Sequence, residues 1–180
     1  MKLRSLYLFC MLIASMLSQQ AIASELVGKT LFTQVNIYSL KGKVVTWVNY
    51  HVDELIPVNS KVVIEKISSS GVVFTVEKTG QRLKLKNKKR HSGLSGEDWA
   101  NKHFGLKKVN LSEFSKLERN AIAMAEVKKG MSKKAVLVAY GYPPAHKTPS
   151  LEGSKWLYWI TRWNKIVVTF EGNKVSNVRT

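Results

Sequence analysis

At Asn110 the hydrophobic pattern of this chain changes period, and near Lys155 it changes back. Before Asn110 apolar residues tend to alternate with polar ones, as on half-buried strands. After it they recur every three or four residues, as on a helix with one buried face. The order of elements is therefore strands, then helices, then strands, which is the order of an α+β fold.

Residues 29–85 hold five strand-like runs, KTLFTQVNIYS, KVVTWVNYH, SKVVIEKIS, GVVFTVEK and QRLKLK. They are rich in Val, Ile, Thr and aromatic residues and are separated by Lys41-Gly42, Pro57 to Ser60, Ser68 to Gly71 and Thr79-Gly80. Turns at such regular spacing predict a small antiparallel sheet, most like an SH3-type barrel, which hides its edges by curling. Residues 24–90 are assigned to this β domain. Residues 91–110 show no clear period and read as a linker with a helical turn around Glu97 to Lys102, pinned to a neighbouring surface by Trp99 and Phe104.

Residues 111–180 form the second domain. Asn110 with Glu113 has capping-box spacing, and Leu111, Phe114, Leu117, Ala121 and Met124 predict a helix from about Leu111 to Val127. Gly130 can end that helix and Ser132 can start another, which Gly141, Pro143 and Pro144 stop. So short a helix cannot hold alone in water and must be held by packing. Three strand runs follow, KWLYWI, KIVVTF and KVSNVR, joined by hairpin links at Thr161 to Asn164 and Glu171 to Asn173. Two helices covering one face of a three-stranded antiparallel meander would have their own core.

Lys2 and Arg4, an apolar run from Leu6 to Leu17 and the small-residue pattern Ala21-Ile22-Ala23 have the build of a secretory signal peptide. Residues 1–23 are expected to be removed near Ala23, leaving a periplasmic chain with no transmembrane span. Cys10, the one cysteine, sits inside the apolar run rather than at the cleavage point, so the mature chain is expected to carry neither a lipid anchor nor a disulfide. Losing Lys2 and Arg4 lowers the formal charge from +17 to +15. That field attracts polyanions and weakens with salt. Nucleic acid is the default partner only for a cytosolic chain; an exported one meets anionic phospholipid, lipopolysaccharide or acidic wall polymer. The alternative is a surface that is basic only for solubility.

Gly130-Met131-Ser132, Val136, Gly141, Pro143, Trp156, Tyr158, Val168, Phe170 and Gly172-Asn173-Lys174-Val175 together resemble the SmpA/OmlA, or BamE-like, family of outer-membrane assembly factors. The resemblance covers residues 112–180. It implies an α-α-β-β-β domain and a non-catalytic role in outer-membrane assembly or maintenance, binding envelope proteins or anionic phospholipid. The architecture is also similar to that of β-lactamase inhibitor proteins, which implies a second possibility, a module that blocks an envelope enzyme. The chain departs from the assembly factors in lacking a lipobox cysteine and in adding the N-terminal β domain. That N-terminal stretch resembles a β module of exported bacterial proteins and implies no ligand.

No motif calls for a cofactor or for catalysis. His51, His91, His103 and His146 have no metal-ligand spacing and are expected as surface or loop residues. The adjacent pairs Asp53-Glu54 and Glu97-Asp98 point apart on most backbones, and Ser92 to Gly96 lacks the strand-to-helix context of a nucleophile elbow. An enzyme with a site between the domains is the least supported reading. The most pointed feature is the basic run with Lys84, Lys86, Lys88, Lys89 and Arg90. On a strand Lys84 and Lys86 share one face and Leu83 and Leu85 the other. The run either holds an anionic surface or guards a sheet edge with lysines. A second set, Trp159, Arg162 and Trp163 with Tyr140 and Tyr142, is the candidate protein-binding surface, because Trp and Arg dominate interfaces. The alternative is that these aromatics are core. Docking is expected through the open sheet and the Gly130 to Pro144 region.

Overall fold

The computed structural model describes residues 25–180 as an α+β protein with two hydrophobic cores. The signal-peptide segment and Cys10 lie outside the described residues. Strands β1 (Thr30–Thr33), β2 (Ile37–Ser39), β3 (Val44–Thr46), β4 (Glu54–Ile56), β5 (Lys61–Ser68), β6 (Gly71–Val76) and β7 (Gln81–Lys86) come first. They precede helices α1 (Lys89–Ser92) and α2 (Gly96–His103) and the short strand β8 (Phe104–Gly105). A 3-10 turn (Leu111–Glu113) leads to α3 (Lys116–Ala123) and α4 (Lys133–Tyr140), then β9 (Lys155–Trp159), β10 (Lys165–Glu171) and β11 (Lys174–Arg179).

The first lobe is built on a six-stranded sheet ordered β3-β7-β6-β5-β1-β8, with β2 and β4 paired separately. Alternation sets its register. In β7, Leu83 and Leu85 are fully buried while Arg82, Lys84 and Lys86 are exposed. Burying such a leucine stabilises the fold by about 1.5–3 kcal/mol. The sheet differs from five simple strands because the first run breaks at Asn36: β1 joins β5, whereas β2 joins β4. The last part of the supposed linker belongs to this lobe. Trp99, Ala100 and Phe104 are in its core, and β8 pairs with β1. Ser95 and Asp98 form a capping box at the start of α2. Gly96 lies so close to the β5–β6 hairpin that a Cβ there would sit 2.0 Å from the Ser68 carbonyl oxygen, so the helix packs this tightly only with glycine.

In the second lobe the meander is ordered β11-β10-β9. Trp156, Tyr158, Ile166, Val168 and Phe170 share a core with Ala121, Ile122, Val136 and Ala139 of the helices. The first helix is shorter than its apolar spacing predicts. Asn110 caps only the 3-10 turn, and the capping box is formed by Ser115 and Glu118. Gly130 does not end α3; its amide donates to the Val175 carbonyl, laying the segment before α4 along β11. Glu118 joins the two helices. One carboxylate oxygen accepts from the Ser115 amide at 2.9 Å and the other from the Ser132 amide at 2.7 Å, each beside a helix start. Burial works to raise its pKa, but these amides outweigh it and hold the carboxyl at about 2.

The lobes are locked where α3 and α4 end. A helix leaves its last carbonyls without partners. Asn36, buried to 1 % exposure, supplies them: its side-chain amide donates to Ile122 at 2.8 Å and Ala139 at 2.9 Å, and its backbone amide to Val138 at 2.9 Å. The amide of Asn49 and the Nε2 of His51 reach the Tyr140 carbonyl at 3.3 and 3.0 Å. The first lobe thus stabilises the short α4 from outside. Gly141 follows with φ +80, and a Cβ there would meet the Asn49 amide nitrogen at 2.8 Å. The C-terminal end of the Gly130 to Pro144 region is thus part of an internal joint, whereas Gly130 and Lys134 are exposed.

Candidate anionic-ligand face

The basic run begins on β7, whose alternation sends Lys84 and Lys86 outward. They do not guard a sheet edge. β3 pairs in parallel with the part of β7 that carries them, Val44 opposite Lys84 and Thr46 opposite Lys86. The same pairing brings Trp47, the next residue after β3, to the end of the run. Lys88 precedes the single turn of α1, and Lys88, Lys89 and Arg90 are all exposed.

His91, on α1, stacks on Trp47 with ring centroids 5.2 Å apart and planes 15° apart. Arg90 donates from Nε to His91 Nε2 at 3.0 Å. His146, from the loop before β9, meets Trp47 edge-on at 5.3 Å and His91 at 5.5 Å. Burial first, then the charges of Lys147 and His91, lower its pKa below the ordinary imidazole value. Trp47, Val48, Tyr50, His146, Trp159 and Arg162 line one open groove of about 160 Å³. Trp47 also lines a smaller cavity of about 50 Å³ that includes Lys102, His103 and Tyr142.

The structure thereby joins two sets of residues that are far apart in the chain. The basic run ends at Arg90, which is bonded to His91; His91 stacks on Trp47; Trp47 shares a groove with Trp159 and Arg162. Arg162 lies 5.0 Å from the ring of Trp163, which is 79 % exposed. Tyr140 does not take part. It is buried in the joint, where burial first, then the neighbouring Tyr38 and Glu126, raises its phenol to about 12. Tyr142 is half-buried under Lys102, whose ammonium is 4.0 Å from the ring centroid and has its pKa lowered by burial.

Charge on this face is one-sided. Among the described residues no carboxylate lines the groove or the smaller cavity. Among the described residues the ion pairs use Lys29, Lys61, Arg82, Lys128, Lys134 and Lys174. Lys84, Lys86, Lys88, Lys89, Arg90, Lys147 and Arg162 form none. The Asp98 carboxyl is held low by the Ser95 hydroxyl and amide, with a smaller contribution from Lys89. Cations without carboxylate partners are free to meet an anionic ligand.

His146 is exposed in a loop, as expected of the histidines, whereas two others are largely buried. His103 is buried, stacked 3.9 Å from Trp99, and burial lowers its pKa to about 3 despite the Trp99 carbonyl that it contacts. His51 is largely buried in the joint and lowered to about 4 by the same cause. Among the described residues no three metal-ligating side chains converge, and no helix is long and apolar enough to cross a membrane. Trp47 is not singled out by the sequence, and His91 and His146 read there only as surface or loop residues, because only the parallel pairing of β3 with β7 and the fold of the second lobe bring the three together.

No family model, curated protein or solved structure matches the chain.

Proposed function

We propose that this is a non-catalytic periplasmic binding protein that docks other envelope proteins and holds an anionic lipid or wall-polymer surface, in outer-membrane assembly or maintenance. The observation that carries the reading is the single cationic and aromatic face made from both lobes, with its cations free of carboxylate partners. The proposal reads the first lobe as an SH3-like module and the second as a BamE-like α-α-β-β-β domain. The second assignment is supported by the packing of α3 and α4 on one side of the meander and by the quoted resemblance.

The outward side of that meander offers a protein-docking surface beside the groove. Leu157 and Val167 pair across β9 and β10 and are half-exposed, with Lys155, Lys165 and Arg179 around them. An acidic partner protein fits such a surface, whether assembly factor or enzyme. Sedimentation with phosphatidylglycerol vesicles tests the anionic half of the proposal. The protein should co-sediment, and neutralising Lys84, Lys86, Lys88, Lys89 and Arg90 should release it, at about 1 kcal/mol per cation near an anionic surface. Unchanged binding overturns it. Crosslinking in cells from Leu157 or Trp163 tests the protein half, which fails if no envelope protein is captured.

A further inference from the structure

The groove at Trp47 is specific enough in its chemistry to name a class of ligand. Its lining is one guanidinium, one imidazole, one phenol, two indoles and a single aliphatic residue, Val48. Trp47, Tyr50 and Trp159 are each half-buried, and Trp47 is braced by His91 and His146. Indole and phenol rings are apolar bodies with a polar tip. A ligand for this lining needs flat apolar faces for the rings, hydroxyls for the polar tips, and negative charge for Arg162.

A sugar ring carrying an acidic group meets all three needs. The C–H faces of a pyranose pack on indole, its hydroxyls bond indole and phenol, and a carboxylate accepts two parallel N–H donors from a guanidinium. The groove's volume of about 160 Å³ has room for one such ring. An acyl chain fits poorly, since its slot would need a continuous aliphatic wall and Val48 is the only aliphatic residue present. An added peptide strand fits poorly too: the Leu157 amide of the neighbouring β9 edge is already bonded to the Thr148 hydroxyl at 3.0 Å.

We infer that the groove binds an acidic saccharide, one ring against Trp47 and Trp159 with its carboxylate on Arg162, and further acidic units running toward Lys86 to Arg90. This rests on the reading of the face as a site for anions and specifies which anion it selects.

The test is tryptophan fluorescence and calorimetry on the purified protein, at physiological salt, with three probes: a hexameric oligogalacturonate, neutral maltohexaose, and phosphatidylglycerol vesicles. Saturable binding of the oligogalacturonate is expected, at least tenfold tighter than maltohexaose. Trp159→Ala and Arg162→Gln, both changes at partly or fully exposed positions, should each weaken it at least fivefold. Trp47→Phe, which keeps a ring in the brace, should weaken it less. Two results overturn the inference while leaving the proposed function standing. One is binding to vesicles without saturable binding of the oligogalacturonate. The other is oligogalacturonate binding that survives the Trp159 and Arg162 substitutions but is abolished by neutralising Lys84 to Arg90, which marks a polyanion field without a sugar site. Binding to neither probe overturns both readings.

Discussion

The two lobes touch in two chemically opposite ways. At the joint, polar groups are buried and mostly matched, although His51 Nδ1 has no partner there. Asn36 uses both side-chain N–H donors on helix carbonyls and accepts from the Val58 amide at 2.8 Å with its oxygen. At the groove around Trp47, polar groups are open and unmatched, with cations and ring faces that find no acidic partner. A saturated contact between lobes serves stability, because each buried backbone group left without a partner costs about 1–3 kcal/mol. An unsaturated one is free to serve a ligand. Substitutions at the first should change folding without changing binding, and substitutions at the second should do the reverse.

The largest effect is expected for Asn36→Ala, which orphans the Ala139 carbonyl and the Val58 amide and leaves the Ile122 carbonyl with backbone donors alone. A loss of roughly 3–5 kcal/mol is expected from the usual cost of buried unpaired groups, measured by urea denaturation. A loss under about 1 kcal/mol would show that the joint does not lock the lobes. Next is Glu118→Gln, which removes an acceptor shared by two helix starts. A cost of about 2–3 kcal/mol is expected from two weakened caps. Because the folded carboxyl is lowered from 4.5 to about 2, its contribution is present above pH 4.5 and is lost as pH falls toward 2. The glutamine variant should therefore lack that part of the acid slope.

Gly96→Ala should cost about 1–3 kcal/mol through overpacking against the β5–β6 hairpin, visible as a lower Tm with unchanged vesicle binding. The buried histidines sharpen the comparison by pH. His51 and His103 titrate at about 4 and about 3 in the folded protein against an ordinary 6.5. Below pH 6.5 the unfolded chain therefore binds protons that the folded chain does not. Stability should fall as pH drops from 6.5 toward 4, by up to about 1.4 kcal/mol per pH unit for each histidine. His51→Gln should reduce that slope. The smallest stability change is expected for Lys84→Gln or Lys86→Gln, within about 0.5 kcal/mol for an exposed side chain. Those changes should still weaken vesicle binding; an equal loss of stability would remove the distinction between joint and face.

The legible features were those written in short-range pattern. Alternation alone put Leu83 and Leu85 on one face and Lys84 and Lys86 on the other, and the structure buries the first pair and exposes the second. Ser132 and Gly141 bounded α4, and the hairpin links at Thr161 to Asn164 and at Gly172 stand where the turn residues place them. What could not be read depended on partners distant in the chain. Asn36 looks like one more polar residue in a strand run, yet it sits 103 positions from the Ala139 carbonyl that it caps. The box expected at Asn110 forms instead at Ser115 and Glu118, whose carboxylate also accepts from a second helix start at Ser132, 14 positions away. Residues 96–105 have no clear period because they are one helix and one short strand packed into a sheet built mostly by earlier residues. The groove has no local signature at all, since its members come from the end of β3, the loop before β9 and the β9–β10 hairpin.

The central claim is that residues of both lobes act as one binding face, and a double-mutant cycle on vesicle binding tests it most directly. One arm neutralises Lys88, Lys89 and Arg90 in the first lobe, the other changes Arg162 to Gln and Trp163 to Ala in the second, and the last combines them. The account predicts that each arm weakens sedimentation with phosphatidylglycerol vesicles, that the combined loss departs from the sum of the two, as it does for sites that share a ligand, and that Tm stays unchanged throughout. Full binding after loss of either set would contradict it.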